Sequence, residues 1–131
     1  MNRWLPAVAG ALLGLIFLFA SVTFFLNLMP TPTFPEGSPI AHFMGAFGPT
    51  GYMGFVKACE LLGGILVAIP RTRNIGLLVL VPILVNVVAF HATVTGGQGL
   101  LNPLLDVALA LALYLLWTAR RQIAGLLGTP S

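Results

Sequence analysis

The chain has 131 residues, six Lys or Arg against three Asp or Glu, 58% hydrophobic residues and 7% charged ones; its mean hydropathy is +1.01. Soluble domains carry roughly a quarter charged residues, so this chain cannot clothe a water-facing surface. An ordinary soluble enzyme, a nucleic-acid-binding module and a disordered tail are excluded. One domain is expected, residues 1–131, embedded in a membrane.

Four apolar stretches approach the roughly 20 residues that a helix needs to cross a bilayer. The first covers residues 5–29 and stops at Pro30, and the second covers 52–69 and stops at Pro70. The third covers 74–95 and stops at Gly96-Gly97, and the fourth covers 102–118 with Pro103 in its first turn. In lipid only helices and closed barrels satisfy their backbone, and four segments are too few for a barrel. The expected fold is therefore all-α, an integral membrane bundle of four transmembrane helices. The first run is too long for the apolar part of a cleavable signal and no A-x-A site follows it, so it is expected to remain as a span.

Charge sets the expected direction. Arg3, Arg71, Arg73, Arg120 and Arg121 flank one end of the spans, whereas Glu36 is the one charge in the other two connections. By the positive-inside rule both termini are cytoplasmic. Trp4, Tyr114 and Trp117 then fall at the inner interface and Tyr52 at the outer one. The outer connection, residues 30–51, holds Pro30, Pro32, Pro35, Pro39 and Pro49 and cannot be one long helix. Its apolar stretch, 40–47, is too short to span and is expected to lie as a short helix or re-entrant cap. A structureless loop of this length would be unusual unless it covers something.

The informative residues are those that interrupt the apolar runs. Ionisable groups inside spans are costly to insert and normally face the bundle interior. Lys57 and Glu60 lie in the second span, Asn86 and His91 in the third and Asp106 in the fourth. At about 1.5 Å per helical residue, Lys57, His91 and Asp106 lie roughly 6 to 8 Å below the outer end. On the same scale Glu60 and Asn86 lie roughly 12 to 14 Å in, near the middle of a ~30 Å core. Three helices thus place polar groups in the outer half, which implies a polar pocket open outward, with His42 and Glu36 on its lid.

Each of these residues also has a structural explanation. Lys57 and Glu60 are three apart and can neutralise each other; Lys57 can instead snorkel outward or pair with Asp106. A carboxylate at position 106 suits the first turn of a helix. Asn86, four residues after Pro82, suits an interhelical hydrogen bond. A lone histidine such as His91 is commonly a satisfied core residue. Glu60 carries the strongest functional expectation, because a carboxylate at that depth must be paired or neutral. Glu60 and His91 are accordingly the candidate catalytic, proton-exchanging pair, with Lys57, Asn86, Asp106 and His42 as ligand-binding candidates. No metal site is expected, since His42, His91, Glu60 and Asp106 lack metal-motif spacing. Cys59 reads as a small buried residue, and the GxxxG at Gly10 and Gly14 as a close-packing face within the bundle or between copies.

The segment Lys57-Ala-Cys-Glu60-Leu-Leu-Gly63-Gly64, the segment Asn86-Val-Val-Ala-Phe90-His91, the Phe-rich AHFMGAFGP and the fourth helix ending in Trp117 and a basic tail together resemble the DoxX family. The resemblance spans nearly the whole chain. It implies a compact four-helix bundle in a prokaryotic cytoplasmic (inner) membrane. Some members are small subunits of quinone-linked oxidoreductases and others associate with redox complexes. By position it carries over only Glu60 and His91. With a single cysteine and no nucleotide-binding loop, a redox role would leave electron carriers to a partner subunit.

The leading expectation is therefore a membrane component of a redox system whose pocket binds a small amphipathic, quinone-like molecule. It would be an accessory subunit more than a self-contained enzyme, with the bilayer, a membrane or soluble redox subunit, or a second copy as partners and no nucleic acid. The alternatives are a non-catalytic anchor or assembly subunit and a small-solute transporter.

Overall fold

The computed structural model describes residues 4–28, 33–97, 100 and 102–128. All regular structure among them is helical: α1 (Trp4–Phe25), α2 (Pro39–Phe47), α3 (Tyr52–Ala68), α4 (Arg73–Thr93), α5 (Pro103–Thr118) and α6 (Arg120–Leu127). A single 3-10 turn, Pro70–Thr72, links α3 to α4. Two helical units, α1 and the continuous Pro70–Thr93, are long and apolar enough to cross a membrane. The total is up to four if α2 with α3, and α5 with α6, are each taken as one bent span. These pairs turn by 82° and 73°.

Small residues decide how the helices meet. On α1 the buried stripe is Ala9, Gly10, Leu13, Gly14, Phe17 and Ser21, and on α3 it is Glu60, Gly63, Gly64 and Val67. A Cβ on Gly14 would sit 2.6 Å from the Gly64 carbonyl oxygen, and one on Gly10 would sit 2.7 Å from that of Val67. The GxxxG face is thus spent inside the molecule, with α1 running antiparallel to α3. The same device joins α3 to α4, where a Cβ on Gly63 would meet Leu80 at 2.6 Å and one on Gly76 would strike the backbone of Val67. Close backbone approach of this kind gives van der Waals packing where lipid supplies no hydrophobic drive.

The ring closes through α5, which packs chiefly on α1. Ala108, Ala112 and Leu115 form its buried stripe, and Leu13, Val67, Leu77, Leu80 and Leu115 fill the centre. The α4–α5 side is loose, leaving an apolar groove between Val81, Leu84, Val85 and Val88 on one helix and Leu109, Ala112, Leu113 and Leu116 on the other. Outward faces are apolar as well. Val8, Leu12, Leu15, Phe19 and Val22 form an exposed stripe on α1, the reverse of a helix that faces water.

Element ends follow local chemistry. The first helix stops at Phe25, four residues before the expected end at 29, which itself lies outside the described residues. Asn27 adopts φ 53°, its N–H donates to the Phe24 carbonyl at 3.2 Å, and that of Leu28 donates to Thr23 at 3.0 Å. This is a Schellman termination with asparagine in the left-handed position. Asn27→Val, which crowds Cβ against the next carbonyl, is expected to cost about 1–2 kcal/mol in thermal unfolding, and Asn27→Gly essentially nothing.

The expected short helix at 40–47 is α2, begun one residue earlier by Pro39 and capped by Ser38, whose Oγ accepts from the Ala41 N–H at 3.2 Å. At the end of α3, Pro70 has no N–H to offer the Leu66 carbonyl. The Thr72 hydroxyl donates to it instead, at 2.7 Å. Asn102 caps α5 by accepting from the Leu104 N–H at 2.9 Å.

Candidate functional site

Near the end of the bundle that carries α2, a half-open cavity of about 290 Å³ lies between α2, α3 and α4. Three helices contribute to it by helical spacing. From α3 come Met53, Val56, Lys57 and Glu60, three or four residues apart, with Tyr52 at the mouth. From α4 come Asn86, Val87, Phe90 and His91 on one face, and α2 lays Phe43 and Met44 over them.

The cover is held by rings. Tyr52, Phe47, Phe43, Phe90 and His91 form a continuous series in which successive centroids are 4.7, 4.6, 4.7 and 5.3 Å apart. The Phe43–Phe90 contact is edge-to-face, with rings inclined at 60°, the arrangement that the ring quadrupole favours. It ties α2 to α4, while Phe47 against Tyr52 ties α2 to the start of α3. Phe43 and Phe47, one turn apart, thus fasten a nine-residue helix that has no fully buried residue of its own.

Beneath this aromatic cover lies the charge. Lys57 Nζ is 3.1 Å from Glu60 Oε2. The Glu60 side chain is 7% exposed and that of Lys57 22%, so the carboxylate is buried and the lysine partly exposed. The ammonium also stands 6.0 Å from the Phe24 ring of α1. Of the arrangements open to Lys57 in the sequence, the pair within α3 is the one formed. A buried pair of this kind recovers its desolvation cost only through good geometry and further hydrogen bonds.

The candidates therefore divide. Lys57, Glu60, Asn86 and His91 line a common cavity, with Asn86 largely exposed at its rim. Asp106 does not line it; it is exposed in the first turn of α5, one of the favourable places for a carboxylate. His42 and Glu36 are exposed as well, and neither lines the cavity. Among the described residues no group of three or more His, Cys, Asp or Glu is placed to hold a metal ion. Sequence reasoning passed over Phe43, Met44, Met53 and Phe90, and treated Tyr52 as an interface anchor. The i,i+4 spacing of Phe43 and Phe47 was the available signal for a ring-bearing face on the loop helix.

The arrangement can do a limited set of things. Aromatic and thioether walls accept a flat apolar ring, while a carboxylate, an ammonium, an imidazole and an amide on two helices can bond its polar substituents. Ligand pockets of this mixed kind usually begin near 300 Å³, so the space suits a single ring or a small head group. A longer tail would have to leave through the open side.

No family model matches the chain, and no solved structure matches it. A stretch of 75 residues is 32% identical to an uncharacterized protein of Bacillus subtilis (strain 168), YwoB, covering 57% of this chain. The match spans about half of that relative, 47% of its length.

Proposed function

We propose that this chain is a DoxX-like integral membrane protein of the prokaryotic inner membrane, and that its cavity binds the head of a small amphipathic, quinone-like molecule as a membrane component of a redox system. The observation that carries the reading is the shared cavity of Glu60, Lys57, His91 and Asn86 under an aromatic cover. Four spans with both termini cytoplasmic put this cavity in the outer leaflet. In that arrangement α2 lies across the outer head groups and α6 across the inner ones. At 17 and 16 residues, α3 and α5 rise only about 25 Å, a mismatch that tilt cannot relieve and local bilayer thinning can.

Reduction of a quinone takes up two electrons and two protons. With one cysteine in the whole chain there is no dithiol to hold electrons, so these come from a partner subunit. The role left to this chain is to seat the ring and to pass protons. Glu60 and His91 face the same space from different helices and exchange protons with the two ends of the head. Lys57 holds the Glu60 carboxylate in place and balances its charge.

The test is direct. Mass spectrometry of protein extracted from native membranes is expected to find a co-purified amphipathic molecule. A short-tailed quinone is expected to bind, with Glu60→Gln weakening it about tenfold or more, the scale for losing a charge-assisted hydrogen bond. Unaltered binding by a folded Glu60→Gln protein would defeat the proposal. One observation favours the anchor-subunit reading instead: the apolar α4–α5 groove offers a seat for a partner's helix. On that reading a stoichiometric subunit co-purifies and no small molecule does.

A further inference from the structure

The acidic residues of the chain are Glu36, Glu60 and Asp106, placed before α2, beside the cavity and at the start of α5. None belongs to the opposite end of the bundle. That end gathers the start of α1, the Pro70–Thr72 turn, the start of α4 and the junction of α5 with α6. It carries Arg71, Arg73, Arg120 and Arg121 among the described residues. Four guanidinium groups with no acidic side chain at the same end constitute a field that an external anion can balance.

The local geometry adds direction to this charge. The chain turns by 73° between α5 and α6, so α6 runs across the end of the bundle instead of continuing its axis. The pivot is Ala119, buried at 3% exposure, which fixes the corner against the helices. Along α6, Ile123 and Leu126 share a face while Arg121 points to the other side, and Leu126 is 68% exposed. Arg120 lies over the Trp117 ring, 4.0 Å from its centroid, and donates to the Trp117 carbonyl at 2.8 Å. The indole is itself 63% exposed. An apolar helix face, a stacked Trp–Arg pair and uncompensated arginines at one level describe an object built for the boundary between acyl chains and charged head groups.

We infer that this end of the molecule is a docking surface for anionic phospholipid head groups. The α6 helix lies in the leaflet boundary, with Ile123 and Leu126 down among the acyl chains and Arg120 and Arg121 at the phosphates. Arg71 and Arg73 engage lipids on the neighbouring side of the bundle. The stem of Arg73 passes close to α1, where a Cβ on Gly10 would come within 3.0 Å of its Cδ. This contact braces the stem of the side chain against α1. The surface selects the charge of the head group, because guanidinium groups bind phosphate oxygens whatever acyl chain they carry. It stands whether or not the cavity at the far end binds a ligand.

The test uses the two tryptophans, Trp4 and Trp117. In a Trp4→Phe background Trp117 is the single tryptophan, excited selectively at wavelengths the two tyrosines do not absorb. The full chain is reconstituted in phosphatidylcholine vesicles containing equal fractions of brominated phosphatidylcholine or brominated phosphatidylglycerol. The expected result is stronger quenching by the anionic lipid, on the scale of about fivefold local enrichment per engaged arginine. The preference should shrink as salt is raised. Arg120→Gln with Arg121→Gln is expected to abolish it at Trp117 while helical content holds. Arg71→Gln with Arg73→Gln is expected to reduce the amount of phosphatidylglycerol retained after detergent extraction. Equal quenching by the two lipids, or a preference that survives loss of Arg120 and Arg121, overturns the inference. So does displacement of the lipid by inorganic phosphate or by an acidic peptide at an ionic strength where the same amount of chloride leaves the preference in place.

Discussion

Gly76→Ala is expected to lower stability by about 2–3 kcal/mol, and Gly76→Leu to leave little folded protein. A Cβ at this position meets the backbone of Val67 and stands 2.9 Å from the Leu66 carbonyl carbon. Backbone cannot rotate aside as a side-chain tip can, so α4 must move off α3 along its length. Overpacking of a tight interface costs on this order even where side chains absorb part of it. The internal control is Gly54 of α3, where an added Cβ finds nothing within 4 Å. There the same substitution is expected to be neutral or to stabilise by up to about 1 kcal/mol, because alanine restricts the unfolded chain. Thermal unfolding in a mild detergent, followed by helical circular dichroism, compares the two variants directly. Similar losses at both positions would show that the α3–α4 seam does not depend on contact between the two backbones.

Glu60→Ala is expected to be the most damaging change at the cavity. It removes the carboxylate 3.1 Å from Lys57 Nζ and leaves a mostly buried ammonium without its partner. Breaking such a pair from one side costs on the order of 3 kcal/mol. Removing both members at once, as Lys57→Met with Glu60→Leu, is expected to restore most of that stability, since no unpaired charge remains. Two measurements then separate glue from site. If the pair only ties helices, the double variant is stable and keeps every native property. If the cavity binds a ligand, the double variant is stable and yet loses the co-purified molecule. A stable double variant that retains the ligand would remove Glu60 from the proposed mechanism.

Depth along a helix can be read from sequence, whereas azimuth depends on which face the neighbours choose. Counting residues from the outer ends placed Lys57, His91 and Asp106 at one level. What separates Asp106 from the others is rotation: the buried stripe of α5 is Ala108, Ala112 and Leu115, and a residue two positions before Ala108 lies about 200° around the helix from it. His42 is misplaced in the same way, one step and about 100° from Phe43. Lys57 and Glu60 escaped the error because their three-residue spacing and the glycines at 63 and 64 mark a common inward face.

Element boundaries divide along similar lines. The expected start of α2, at 40, is one residue late, although the Ser38-Pro39 pair carries the signal, because a cap and a first-turn proline act locally. The end of α1 was not legible, since Phe24 to Met29 reads as unbroken apolar helix unless Asn27 is recognised as left-handed. The ring series from Tyr52 to His91 was less legible still. It joins residues up to 48 positions apart, Phe43 and His91, through contacts that exist only once α2 has folded back.

The uneven ring of helix contacts bears on how the molecule is made. α1 packs on both α3 and α5, whereas α4 and α5 barely meet. The ribosome therefore releases α1 long before its second partner exists. Its glycine face is covered as soon as α3 arrives, and the hairpin of α3 and α4 completes a three-membered block. The flank of α1 awaiting α5 stays uncovered until that helix is made, and a product that stops short of α5 would display it as an open apolar seam.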